Sequence, residues 1–343
     1  MTGALGAILI VVVAGLIMGA VAWPVKLMKT FKYEHWAFFA MLTGLVIIPW
    51  TVTLIFCPNA IAAYRNVDLS VIIKSNIFSL SWGAANVLGF LCLSRIGFSL
   101  TNGLLTGVGV SLGVTVPMIF KGSGLFQYAP DLISKPGLVV ILGVLVMVIG
   151  VVLASISGFR RAKELKEKQE KSGNFLVGLI MVLSGGILSC GISFSFVYSQ
   201  GPIKTAMMAE GASDISATFA VWAVGLLGGA LVNVLFPAFL MTKNKSWKVL
   251  LKSAKEITLA LLIGINFCTS IALMGKGMVL LGALGASVGF GIQQAMQMFG
   301  GQGVGFISGE WSGVSNKTLI LICSAITVLI LAAIIMSYGN ALV

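Results

Sequence analysis

Phe159-Arg160-Arg161-Ala162-Lys163-Glu164-Leu165-Lys166-Glu167-Lys168-Gln169-Glu170-Lys171 is the largest cluster of charge in the chain, and it stands between two long apolar stretches. Its alternating signs suit a short solvated helix that links two parts of the protein. Five apolar stretches precede it, near 4–23, 35–57, 74–94, 98–120 and 137–157, and five follow, near 175–198, 216–241, 257–275, 278–304 and 318–338. A helix needs about 20 mainly apolar residues to cross the hydrocarbon core. The layout therefore predicts an all-α membrane protein of ten transmembrane helices, with a first five-helix repeat over 1–157, a basic cytoplasmic linker over 158–174 and a second repeat over 175–343. The third stretch is the most diluted, by Asn76, Ser79, Ser81, Trp82 and Asn86, together with the eighth, by Asn266, Thr269 and Ser270. Lipid offers such side chains no partner, so they must face protein or water.

Composition agrees. Hydrophobic residues make up 58% of the chain and charged residues 9%, against roughly 45–50% and about 25% in soluble domains. The net charge of +12 is distributed by side: 16 Lys and Arg fall in the odd-numbered connections and 6 elsewhere. The positive-inside rule then puts the odd connections in the cytoplasm and both termini outside. The basic excess reads as an orientation signal with some anionic-lipid contact; no nucleic-acid motif accompanies it. Ala20-Val21-Ala22 could pass for a cleavage site, but Met1 to Leu16 holds no basic residue and Lys26, Lys29 and Lys32 come after the apolar run. An uncleaved first helix is the expectation. The five cysteines sit singly within or beside apolar stretches, as packing residues do.

Because five is odd, the second half starts on the opposite side of the membrane, so equivalent halves would be related by inversion, a common plan in carriers with two alternating openings. A trace of duplication fits: at an offset of 180, Asn86, Leu93 and Gly97 fall on Asn266, Leu273 and Gly277. Gly103, Gly107, Gly109 and Gly113 of the fourth stretch are mirrored by Gly282, Gly285, Gly289 and Gly291 of the ninth. Such small residues serve close packing in lipid, or helices that slide and bend.

Catalytic chemistry is poorly supplied. His35 is the single histidine, no acidic pair lies at mid-membrane, and there is no metal-binding H-E-x-x-H, nucleophile elbow or phosphate loop. No enzyme, cofactor or metal is expected, and without a nucleotide-binding domain the energy must come from a gradient. The polar groups at membrane depth are neutral hydrogen-bonders, several spaced four apart: Trp82 with Asn86, Asn102 with Thr106, Ser189 with Ser193, and Gln293 with Gln297 beside Gln294. Asn266 and Thr269 add a pair in the eighth stretch. Amides and hydroxyls both donate and accept, which suits a neutral polyhydroxylated solute, and Trp82 offers a flat apolar face for a sugar ring. The competing reading for each Ser or Thr is a bond to its own helix.

At Trp82-Gly83, Asn86, Gly89, Arg95, Gly97 and Ser99, followed by the glycine-rich fourth helix, the chain resembles the L-rhamnose–proton symporters of the drug/metabolite transporter superfamily. Pro24 with Lys26, Gly178 with Gly186, Ser189, Gly191, Ser193 and Phe194, Gly201-Pro202, and Glu310-Trp311 agree. The resemblance runs nearly end to end and implies a bacterial inner-membrane carrier that takes up a deoxy-sugar with a proton. It also implies aromatic and acidic residues at the start of the ninth helix, where this chain has Leu281-Gly282-Ala283-Leu284-Gly285-Ala286-Ser287. That departure removes one proton carrier, and leaves Glu34 and His35 at one mouth, Glu210, Asp214 at the start of the seventh helix, and Glu310. Asp214 could instead cap its helix, and Glu310 could pair with Lys317. Sodium held by hydroxyls and carbonyls is the alternative ion.

The expected sugar site is lined by Trp82, Asn86, Asn102, Ser189, Ser193, Asn266, Gln293 and Gln297, between the halves near the midplane. Rival readings are an exporter of a small lipophilic or amino-acid-like metabolite, and a membrane sugar receptor that does not transport.

Overall fold

The computed structural model describes residues 2–96, 98–120, 131–165, 174–282 and 288–342. Every regular element among them is helical. In chain order they are α1 (Thr2–Ala20), α2 (Tyr33–Leu42), α3 (Ile48–Phe56), α4 (Ala60–Arg65), α5 (Leu69–Ile96), α6 (Phe98–Ile119), α7 (Lys135–Glu164), α8 (Phe175–Ser189), α9 (Gly191–Ala209), α10 (Asp214–Gly225), α11 (Leu227–Lys243), α12 (Ala254–Leu280), α13 (Phe290–Ile307) and α14 (Asn316–Ala341). A π-helical segment, Thr43–Ile47, joins α2 to α3.

Seven of these helical stretches are long and apolar enough to cross a membrane, and α10 with α11, bent by 51° at their junction, make an eighth if the two form one span. The ten expected spans are reduced by α5 and α13. Lys74, Asn76 and Asn86 dilute one, and Gln293, Gln294, Gln297 and Gln302 the other, so neither qualifies on apolar length although both are long helices. Boundaries move too. The fifth helix runs to Glu164 and so takes in the first part of the expected linker. The expected ninth span begins inside α12, which extends to Leu280; Ala283 to Ser287 lie outside the described residues.

The helices start where short polar side chains can accept from the first free N–H groups. Ser134 caps α7, Asn174 α8, Ser213 α10, Ser253 α12 and Ser315 α14. The Glu164 carboxylate at the end of α7 adds bonds from Ser315 N (2.7 Å) and Thr318 Oγ1 (2.7 Å), fastening the end of α7 to the start of α14, the helix it packs against. The α1 helix packs on α12 and α13; α5 packs on α8, α9 and α11; α2 packs on α11 and α12. Two contacts need glycine on both sides. A Cβ on Gly44 would stand 2.6 Å from Gly264 O, and one on Gly83 3.0 Å from Gly229 O, so neither pair of helices could approach as closely with a larger residue.

The break between α10 and α11 occurs without proline and frees backbone groups that lipid could not satisfy. The Asn76 amide spans it: its Oδ1 accepts from Gly228 N at 2.7 Å, and its Nδ2 donates to Val224 O at 3.0 Å. Ser79 Oγ accepts from Gly229 N at 3.0 Å, and Ser195 Oγ donates to Gly225 O at 2.7 Å. Asn76→Leu would strand two of these groups at a cost of roughly 1–3 kcal/mol each. The expected outcome is a clearly lower melting temperature of the purified protein in detergent, while Gly303→Ala, which meets open space, leaves it unchanged; an unaltered melt for Asn76→Leu would refute the account of the break.

Candidate functional site: a central uncharged cavity

A cavity of about 610 Å³ lies among α1, α2, α5, α6, α8, α9, α11, α12 and α13. Six of the eight sequence-predicted site residues line it: Trp82 and Asn86 from α5, Asn102 from α6, Ser189 from α8, and Gln293 and Gln297 from α13. Gln294, Thr101 and Thr106 join them. One wall is apolar and aromatic: Trp82 is stacked near Phe267 at 6.0 Å between centroids and 26° between planes, with Phe290, Ile271 and Met274 alongside. The polar groups are partly paired among themselves. Asn86 Nδ2 donates to Asn233 Oδ1 at 3.0 Å, Asn233 Nδ2 donates to Gly229 O at 2.8 Å, and Gln293 Nε2 donates to Gln297 Oε1 at 3.3 Å. Thr101 lines the wall as well, with its Oγ1 buried and without a partner among the described residues.

Ser193 and Asn266 are not among the lining residues. Ser189 and Ser193 stand on either side of Cys190, the one residue between α8 and α9, in a stretch that runs as a single span from Phe175 to Ala209. Ile192 lines the cavity and Ser193 is fully buried, 0% exposed. On α12 the lining stripe is Ile263, Phe267, Ile271 and Met274. Asn266 lies about 100° of helical rotation from Phe267 and falls on another side. Ser189 also behaves as the local reading of serines expected, donating to Gly186 O at 2.7 Å while it lines the wall.

Sequence reading missed Asn233, 5% exposed and set in the run Leu231-Val232-Asn233-Val234-Leu235. A lone amide in such a run was the available signal, because it is costly to bury without partners. Tyr33 and Trp36 were missed as well; Tyr33 stacks on Phe90 at 3.8 Å, where both line the cavity beside the last turns around α1. At that end the cavity reaches Ala22 and the exposed Asn102. At the other end the apolar core continues through Phe196 stacked on Trp222 (4.4 Å, 21°), and Tyr64, whose hydroxyl donates to Ala220 O at 2.7 Å, ties α4 to α10.

No carboxylate, imidazole, ammonium or guanidinium is among the described residues that line it. The coupling candidates lie away from it. Glu34 is buried and accepts from Asn244 Nδ2 at 3.1 Å. His35 accepts the Lys32 N–H at Nδ1 (3.0 Å), and its buried Nε2 has no partner among the described residues. Asp214 is ion-paired with Lys204 of α9 and with Lys276 of α12, the latter at 2.5 Å. The cap of α10 is Ser213, so Asp214 is free of that duty. Glu310 pairs with Lys26, whose Nζ also bonds Ser308 Oγ at 2.6 Å; the expected partner, Lys317, is not the one found. Glu210 accepts from Asn59 Nδ2 at 3.1 Å.

The family profile described as L-rhamnose-proton symport protein matches residues 2–342 of the chain. The L-rhamnose-proton symporter of Klebsiella pneumoniae subsp. pneumoniae is 26% identical over 322 residues, covering 90% of this chain and 92% of the relative. Relatives with the same name from Pectobacterium atrosepticum and Escherichia coli are 26% and 25% identical over 325 residues, each covering 93% of both chains.

The cavity wall is open to a direct check. With the native cysteines replaced, a cysteine at Asn102 or Gln297 is expected to react with a hydrophilic maleimide in the folded protein, and one at Ser193 or Asn266 to react at least about tenfold more slowly. Mass spectrometry of the labelled protein reads this out, and equal labelling of all four would discard the assigned wall.

Proposed function

The chain belongs to the L-rhamnose-proton symport protein family, and from that premise we propose that it is a multi-pass membrane carrier that imports L-rhamnose together with a proton. Its relatives are named as symporters, not enzymes. The observation that carries the reading is the central cavity, which is uncharged, walled by aromatic rings on one side and studded with amides and hydroxyls on the other. A 6-deoxy sugar has the matching surface: hydroxyls that both donate and accept, and a methyl group with C–H faces that lie against Trp82 and Phe267. A charged solute would need ionic partners that the wall lacks.

The proposed sugar site is Trp82, Asn86, Asn102, Ser189, Gln293 and Gln297 with Asn233 added. Uptake uses ten helices in two inverted halves, 1–157 and 175–343, joined by the basic segment. The packing pattern supports this. Exchanging each helix of the first half for its counterpart in the second turns α1 on α12 and α13 into the α8–α9 stretch on α5 and α6, and turns α5 on α11 into α12 on α2. The Gly44–Gly264 contact becomes Gly229–Gly83 under the same exchange. Both termini face the outside of the inner membrane, as the basic loops require, so the mouth at Tyr33 and Asn102 opens toward the cytoplasm. Proton coupling works from the rim, through Glu34, His35, Asp214 or Glu310, since the described cavity wall holds no carboxylate, imidazole or amine. Export of a lipophilic or amino-acid-like metabolite is not favoured by the relatives' names.

Reconstituted into liposomes, the protein is expected to accumulate labelled L-rhamnose under an inwardly directed proton gradient, to lose accumulation with a protonophore, and still to exchange preloaded sugar. Asn86→Ala and Gln293→Ala should each raise KM by about tenfold, the loss of one good hydrogen bond. Binding without exchange would mean a receptor, accumulation driven only by sodium would replace the proton, and unchanged KM in both variants would remove the sugar site.

A further inference from the structure

Asn233 decides which end of the Asn86 amide faces the cavity. The chain of bonds starts from a group with no choice: Gly229 O is a backbone carbonyl and can only accept. The Asn233 amide must turn its Nδ2 toward it, and does so at 2.8 Å. Asn233 Oδ1 then points the other way and can only accept, so Asn86 must present Nδ2 to it, at 3.0 Å. One backbone carbonyl on α11 thereby sets the orientation of an amide on α5. Asn86 is a residue of the cavity wall, and its Oδ1, turned away from Asn233, has no donor among the described residues. Neither amide can flip without setting two acceptors against each other, which in a buried place costs the bond and adds repulsion.

We infer that Asn233 is a positioning residue for transport, and that it fixes Asn86 as a carbonyl acceptor which selects a substrate hydroxyl able to donate its hydrogen. This rests on the sugar-site reading above and adds a direction to it. A site built only of amides and hydroxyls would otherwise be indifferent to whether a substrate oxygen gives or receives. At Asn86 that indifference is lost, and a substituent of similar size that accepts but cannot donate is rejected.

The test uses the full-length protein in proteoliposomes and a series of L-rhamnose analogues in which each hydroxyl in turn is replaced by fluorine, which cannot donate, or by hydrogen. In the unaltered protein, one ring position is expected at which the fluoro analogue competes with labelled L-rhamnose as poorly as the deoxy analogue, both down by more than about tenfold. Asn233→Ala frees the Asn86 amide to turn, so at that position the fluoro analogue recovers to within about threefold of L-rhamnose while the deoxy analogue stays poor. A purely structural role for residue 233 would instead weaken L-rhamnose and all its analogues alike, without restoring the fluoro analogue selectively. The inference is overturned if the fluoro analogues compete normally at every position in the unaltered protein, or if Asn233→Ala keeps the full discrimination. The first of these needs no variant, so a poorly folding Asn233→Ala still leaves a decisive measurement. If L-rhamnose itself is neither bound nor exchanged, the sugar-site reading falls and takes this inference with it; normal L-rhamnose transport with indifferent analogues removes the inference alone.

Discussion

A backbone group stranded in hydrocarbon has no water to turn to, and the arrangement of polar side chains in this protein follows from that constraint. The junction of α10 and α11 interrupts the helical ladder, and Asn76, Ser79 and Ser195 take over the freed N–H and C=O groups. Two of the polar side chains of α5, Asn76 and Ser79, are therefore committed to repairing its neighbour. Only when that duty is accounted for does the next turn of α5, with Trp82 and Asn86, stand out as the part that faces the cavity.

The same constraint explains how far the fold could be read from the chain. Apolar length identified the helices that satisfy their own backbone in lipid, and it weakened where helices serve others: α5 and α13 carry amides for packing and for the cavity, and so fall below the apolar length that marks a span. Helix starts were less legible: the cap considered for α10 was Asp214, whereas its neighbour Ser213 takes that place, as Ser315 does for α14. The single turn residue at Cys190 was not legible, because nothing in Leu188-Ser189-Cys190-Gly191 demands it locally, and the sequence did not show that Ser193 would be fully buried away from the cavity. Asn266 is an amide at membrane depth, but depth does not fix rotation about a helix axis, and it lies off the lining stripe of α12. Ion pairs were the least legible of all. Glu310 reaches Lys26, distant in sequence, past the nearer Lys317, since the packing of α1 on α13 brings Lys26 alongside.

Within the cavity, hydrogen bonds among protein groups do more than fill space. Asn86, Asn233, Gln293 and Gln297 are held by one another, so their free ends keep a fixed direction before any ligand arrives. Side chains already ordered lose little further freedom when a solute binds, which favours recognition over loose adhesion. The aromatic side contributes area without direction, and the amide side contributes direction with little area. A molecule with one greasy and one hydroxylated edge meets both needs at once.

The electrically neutral lining has one more consequence. Moving a unit charge through the full membrane potential is worth about 2.3 kcal/mol per 100 mV, yet neither an uncharged sugar nor the amides that hold it carry any charge for that field to act on. Voltage can drive accumulation only through the ion that accompanies the solute and through the charged clusters at the rims, such as Asp214 with Lys204 and Lys276. The work of concentrating the cargo and the work of recognising it are thus done by different atoms.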